Sequence, residues 1–232
     1  MSGCLAGIEI GGTKIQVVWG ESPERIVERR VFRVDQAAGA SGIRAQVESA
    51  LGDASMPRVR AVGVGFGGPV DYRTGRVCCS HQIEGWSEFD LGGWVQGLVG
   101  VPVRVDNDAN TAALGEAVLG AGRGRDPVFY VTMGSGVGGG LVVGGEVYHG
   151  RLPGESEIGH LRLDREGNTV ESRCSGWALN RRILEVVRAG AGGRLAELVA
   201  GDPGHEARHL GVALGEGDPV ARGVMSELVG DL

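Results

Sequence analysis

Two short runs place glycines, hydroxyls and charge where strands turn. Gly11, Gly12, Thr13 and Lys14 follow Glu9 in "GIEIGGTKIQ", and Thr132, Gly134, Ser135 and Gly136 lie in "VTMGSGVGGGLV". Each run reads as strand, glycine turn, strand, and each alone is an ordinary hairpin, because glycine adopts positive φ without steric cost. Together in one chain they suit another task. Glycines leave main-chain N–H groups unshielded, and the hydroxyls of Thr13, Thr132 and Ser135 donate beside them, which makes anion-binding concavities without a helix. Two such turns facing each other would hold a polyphosphate, so the pair favours a nucleotide. Glu9, one residue ahead of the first turn, offers a carboxylate that would hold a magnesium ion through water.

A third run, "VDNDANTAALGE", sets Asp106, Asn107 and Asp108 where a strand gives way to a helix. Capping the helix needs only one of them. A carboxylate at a helix N-terminus is kept ionised by the local dipole, with its oxygens fixed, which suits a general base for a substrate hydroxyl. In "GESEIGHLRL", Glu157 and His160 stand among glycines. Glu and His three apart serve as metal ligands on a helix, as a hydrogen-bonding pair for vicinal hydroxyls, or as part of a plain surface loop; the residues alone do not choose. His81, His149, His205 and His209 read as surface residues. "GVGFGG" and "GSGVGG" both fit G-x-G-x-x-G, but neither opens a helix, so a dinucleotide fold is rejected. The phosphate-loop motif ending in G-K-[ST] is absent.

The elements that must carry these residues follow from the pattern. Leu5–Ile10, Ile15–Trp19 and Arg25–Val34 read as three strands in a meander. A helix capped by Ser41 and running to about Leu51 comes next, then strands at Arg58–Gly65 and Val101–Val105 and a helix over Asp106–Leu119. That order predicts a mixed sheet with helices on its faces, an α/β fold. The glycine-rich "LGAGRGRDP", Leu119–Pro127, is the best linker. After it the pattern restarts with strands at Val128–Thr132 and Leu141–Val143, and from Trp177 the chain reads as mostly helical. Two lobes are expected, residues 1–119 and 120–232, each opening with strand, glycine turn, strand.

Composition narrows the class. A chain of 232 residues is long enough for one large or two modest cores. Its 44 glycines far exceed the usual share of about 7% and show no collagen-like period, which points to tight turns and close backbone approach to ligands. A net charge of −6 without a basic block argues against nucleic acid. No run reaches the ~18 unbroken apolar residues of a membrane helix, and the amino end lacks a signal-peptide pattern. Four cysteines, two of them adjacent, form no disulfide framework, so a reducing cytoplasm is expected.

In order along the chain, "GIEIGGTKI", "GFGGPVD", "NDANTAALGE", "TMGSGVGGGLV" and "GESEIGH" resemble the ROK family of sugar kinases and sugar-responsive repressors, from Gly7 to about Asn180. The resemblance implies the actin-like ATPase (ribonuclease H-like) fold, two lobes with an ATP and sugar cleft. It implies that the two glycine turns are phosphate-binding loops and that Asp108 is the base for a sugar's primary hydroxyl. Asn107, Glu157 and His160 become sugar-hydroxyl ligands, Gly68 in "GFGGPVD" an edge of the sugar pocket, and Glu171 in "ESRCSGWAL" a further sugar ligand.

Three departures from the family pattern matter. Glu9 stands where the family has Asp, one methylene shorter. The segment that in many members holds zinc through C-x-C-G-x-x-G-C is here "LRLDREGNTV", without cysteine, and Cys174 alone cannot complete a four-ligand site, so no structural zinc is expected. Met1 precedes the first strand by a few residues, leaving no room for a repressor's helix-turn-helix. The expectation is therefore a cytoplasmic, ATP- and magnesium-dependent kinase of glucose or a close relative, a dimer by resemblance. The alternative is a truncated or impaired sugar-binding protein. The ending "GEGDPVARGVMSELVGDL" stops where family members extend a long helix toward an adenine-side "GGG" turn, so these 232 residues are expected to bind sugar better than ATP and to turn over poorly.

Overall fold

The computed structural model describes residues 3–80, 83–151 and 156–232. The described residues group into two compact units, 1–130 with 140–156 and 131–139 with 157–232. The expected division after Leu119 differs from this grouping. Residues 119–127 belong to the first unit because they are tied into it: the Gly122 N–H donates to the Glu116 carbonyl at 3.0 Å, and the Asp126 carboxylate accepts the Gly144 N–H at 2.8 Å.

The first unit is built on a five-stranded sheet of order β3-β2-β1-β4-β7, comprising β1 (Cys4–Ile10), β2 (Lys14–Ser22), β3 (Arg25–Arg33), β4 (Val59–Phe66) and β7 (Val103–Asn107). The β1–β2 and β2–β3 pairs are antiparallel, whereas β4 joins β1, and β7 joins β4, in parallel. This is the mixed sheet expected from the meander followed by strand–helix alternation. Register follows from alternation: Ile8, Ile10, Ile15, Val17 and Trp19 fall on the buried face. Burying a side chain of this size contributes about 1.5–3 kcal/mol, and slipping by one residue would expose the set.

α1 (Gly39–Leu51) covers that face with Ile43 and Val47. Ser41 does not cap it. The N-cap role falls one turn earlier, where Asp35 accepts the Ala37 N–H and opens a 3₁₀ turn that runs into α1, leaving the Ser41 hydroxyl to donate back to the Ala38 carbonyl. The short strands β5 (Val70–Asp71) and β6 (Arg76–Val77) pair with each other. α2 (Leu91–Val99), which the sequence pattern did not suggest, is capped by Asp90 and closed by Gly100 in the left-handed region. It packs near edge-on contacts among Phe66, Trp86, Phe89 and Trp94. α3 (Asp108–Val118) starts immediately after the last residue of β7, so Asp106 and Asn107 are strand residues rather than the start of the helix.

β8 (Val128–Met133), β9 (Val137–Val143) and β10 (Glu146–Val147) form a second sheet of order β10-β9-β8. The turn of the β8–β9 hairpin belongs to the second unit. That unit is otherwise helical: α4 (Val170–Cys174), α5 (Gly176–Arg188), α6 (Arg194–Gly201), α7 (Glu206–Gly215) and α8 (Pro219–Asp231). Ile183, Leu195, Leu210 and Ala221 form its core, and Asp218, the N-cap of α8, also accepts the Leu195 N–H, tying α6 to α8. Among the described residues no helix is long and apolar enough to cross a membrane.

Candidate active site

In the first unit three separate sequence motifs meet. The "GGTK" turn joins β1 to β2 and is closed by the Gly11 N–H donating to the Lys14 carbonyl at 3.0 Å. Gly67, just past β4, donates its N–H to the Ile10 carbonyl at 2.8 Å, which brings the "GFGG" turn against the first loop. A Cβ on Gly67 would lie 3.3 Å from the Asp108 Oδ2 and 3.3 Å from the Ile10 carbonyl oxygen, so the absent side chain is what leaves room for the Asp108 carboxylate. The Asn107 side-chain amide donates to the Gly68 carbonyl at 3.2 Å. The structure thus gathers Gly11, Gly12, Thr13, Lys14, Gly68, Asn107 and Asp108.

The three polar residues at the β7–α3 junction have distinct tasks. Asn107 is the helix cap: its Oδ1 accepts the N–H groups of Ala109 and Asn110 at 2.9 and 3.2 Å. Asp108 stands in the first helical turn, where the dipole favours its charge, and its Oδ1 accepts the Ala109 N–H at 2.8 Å. Asp106 points elsewhere, with its Oδ2 2.7 Å from Nε2 of His149. The expectation that His149 is a surface residue is not met: its side chain is 15% exposed and stacks on Tyr72. Sequence reasoning missed it because its partner lies 43 residues away.

Thr13 and Lys14 are exposed at the first turn. The Glu9 carboxylate is 3.3 Å from Lys14 Nζ and accepts from the Gln16 side-chain amide, both across the hairpin. A hydrated cation at Glu9 would therefore compete with the Lys14 ammonium for the same oxygen.

In the second unit the "GSGVGG" turn is fastened from two sides. Gly176, the first residue of α5, donates its N–H to the Gly134 carbonyl at 2.8 Å, and Oε2 of Glu171 accepts the Val137 N–H at 2.9 Å. A Cβ on Gly136 would stand 2.6 Å from that Glu171 oxygen, whereas one on Gly134 would meet nothing within 4 Å. The space beside Gly134 is therefore open, while its own N–H donates to the Gly136 carbonyl at 2.9 Å; Gly134 and Ser135 are exposed, with Thr132 half-buried beside them on β8. These features fit a phosphate cradle. Glu157 is the N-cap and His160 the last residue of a single 3₁₀ turn over Ile158–His160, and both are exposed.

The cysteine-free segment after His160 closes on itself. Arg162 bridges to Thr169, and Asp164 accepts both the main-chain and side-chain N–H groups of Asn168. Those bonds, the side-chain one foremost, hold the Asp164 carboxyl below its usual range. His205-Glu206-Ala207-Arg208-His209 has the H-E-x-x-H spacing of zinc proteases, but the fold assigns these side chains otherwise. Nδ1 of His205 lies 3.2 Å from Oδ1 of Asp202, Glu206 accepts the Gly204 N–H, and Nε2 of His209 lies 2.7 Å from the Asp202 carbonyl oxygen. His209 is only 7% exposed, which corrects its reading as a surface residue. Among the described residues no group of three or more His, Cys, Asp or Glu is placed to hold a metal. His81 lies outside the described residues.

A mixed five-stranded sheet carrying one glycine-turn hairpin, with a second such hairpin leading into a helical unit, defines the class: the chain has the actin-like ATPase fold. A family model described as the ROK family matches residues 5–232, and the chain belongs to that family. The glucokinase of Streptomyces coelicolor is 34% identical over 94% of this chain and 72% of its own. The glucokinase of Thermotoga maritima is 28% identical over 97% of this chain and 74% of its own. A ROK family glucokinase from Streptomyces griseus, solved in complex with glucose and AMPPNP, aligns with a TM-score of 0.84 at 35% identity, covering 97% of this chain and 75% of that one.

Proposed function

We propose that this chain is a sugar kinase that transfers a phosphoryl group from ATP to the primary hydroxyl of a hexose, glucose or a close relative. The observation that carries the reading is the meeting at Gly67. Gly67 bonds to the Ile10 carbonyl at the end of the first phosphate-loop strand and, having no Cβ, leaves the Asp108 carboxylate room beside that strand end, while Asn107 reaches the neighbouring Gly68 carbonyl. A base, a hydroxyl ligand and an anion loop are thereby held on strand ends and a helix start, elements rigid enough to position a reacting hydroxyl. The glucose and AMPPNP bound by the Streptomyces griseus relative support the choice of sugar and of an adenine nucleotide.

In this reading Asp108 accepts the proton of the hydroxyl as it attacks, and Asn107 with the Gly68 edge orients the sugar. The turn at Gly11, Gly12, Thr13 and Lys14 binds phosphate oxygens, and Glu9 would hold magnesium through water. From the second unit, Thr132, Gly134, Ser135 and Gly136 bind phosphate, and Glu157, His160 and Glu171 are sugar ligands. Of the two Glu171 oxygens, Oε2 already accepts the Val137 N–H, so the same residue would link the sugar to the second loop. ATP with magnesium supplies the transferable phosphoryl group and neutralises its charge; positioning and electrostatics remain the protein's part. Coupled measurement of ADP release with a panel of hexoses tests the proposal. Release that depends on a hexose is expected, and its absence with every hexose refutes the proposal.

A further inference from the structure

The first acid of the Asp106–Asn107–Asp108 run has no part in the chemistry proposed above, yet both of its oxygens are engaged. Oδ1 accepts the Asn107 main-chain N–H at 2.7 Å and the Asn110 side-chain amide at 3.1 Å. Oδ2 lies 2.7 Å from Nε2 of His149. Asp106 thus grips the β7–α3 junction with one oxygen and a distant loop with the other. Asn110 is 3% exposed, and its Oδ1 has no partner among the described residues, so Asp106 is the side-chain tie that the structure shows for it.

A carboxylate torsion is broad on its own. A second oxygen held from outside fixes the plane in which the first meets Asn107 and Asn110. His149 is suited to that role because its own ring is held. It lies flat on Tyr72, centroids 3.5 Å apart and planes 11° from parallel, and the Tyr72 hydroxyl accepts a bond from Arg73 Nε at 3.3 Å.

We propose that His149 is a positioning residue for the pair Asn107–Asp108: through Asp106 it sets the strand-to-helix junction that carries the sugar ligand and the base. The kinetic part of this proposal rests on the sugar-kinase reading, and its structural part does not.

Two variants separate the histidine's hydrogen bond from its ring. His149→Phe keeps a ring for Tyr72 but offers Asp106 nothing, whereas His149→Gln brings an amide nitrogen near the Nε2 position without the ring. The Phe variant is expected to lower kcat/KM for the hexose by about 10–100-fold, with a raised KM for the hexose and a KM for ATP within about twofold of wild type. The ATP constant stays because the "GGTK" turn is closed by its own Gly11–Lys14 bond. The Gln variant is expected to recover to within about threefold of wild type. Hydrogen exchange at the Asn107 and Asn110 amides should quicken by about tenfold in the Phe variant and not in the Gln variant. Equal loss in both variants, no loss in the Phe variant, or a fall in kcat that leaves both Michaelis constants unchanged overturns the assignment. If wild-type protein phosphorylates no hexose, the kinase reading fails, and the exchange comparison still decides: unchanged exchange in the Phe variant overturns the positioning role.

Discussion

Replacing Asp108 with Asn should abolish phosphoryl transfer while leaving the sugar bound. The two carboxylate oxygens are not equivalent. Oδ1 accepts the Ala109 N–H at 2.8 Å, and Oδ2 is the oxygen beside Gly67. An asparagine must keep its oxygen at the Ala109 donor, because an NH2 group there would set two donors against each other. Its nitrogen therefore falls at the Oδ2 position, where a proton has to be accepted, and an amide nitrogen only donates. Loss of a general base costs about 10²–10⁴ in rate, which is about 3–5 kcal/mol of barrier. Shape is retained and Asn107 still caps α3, so hexose affinity should change little. The lost charge at the first helical turn should lower stability by only about 0.3–1 kcal/mol. Coupled ADP release and calorimetric titration with hexose, on wild type and variant together, measure both quantities. Turnover of Asp108→Asn within about tenfold of wild type would remove Asp108 from the chemistry.

Other expectations concern the second unit, acid stability and metal. Glu171→Ala strands the Val137 N–H and should cost about 1–3 kcal/mol in urea unfolding, whereas Glu171→Gln keeps an oxygen for it; an Ala variant as stable as wild type would refute the tie. Hydrogen bonds from the Ser55 side chain and backbone, with Arg30 next, pull the Asp53 carboxyl from 3.8 to about 2. Its folded value lies below the unfolded one, so its contribution to stability is complete above the unfolded value and is lost as pH falls from there through about 2. Proton-resolved titration of Asp53 with a midpoint at the ordinary carboxylate value would contradict this. Purified protein should carry no stoichiometric zinc, and a chelator should not move its thermal midpoint; elemental analysis that finds a zinc in each chain would overturn that expectation.

What the sequence determined by itself is what repeats over a few residues. Alternation in "LAGIEI" and "KIQVVW" fixes a hairpin with one buried face, and adjacent glycines fix its turn, because side-chain period and turn stereochemistry are local properties. The same holds for the second glycine hairpin and for the presence of a helix after "VDNDAN". Tertiary structure decided which polar residue at that junction does what. Any of the three could cap the helix, and Asn107 does so because β7 runs through it in register with Phe66, which turns its amide to the Gly68 carbonyl. α2 was hidden by the three glycines of "LGGWVQGLV", poor helix formers; burial of Leu91 and Val95 overrides that propensity. The pairing of His149 with Asp106 and the fastening of the second loop by Glu171 join residues far apart in the chain. No pattern within a window of sequence encodes such contacts, since they exist only once the sheet and helices have brought the partners together.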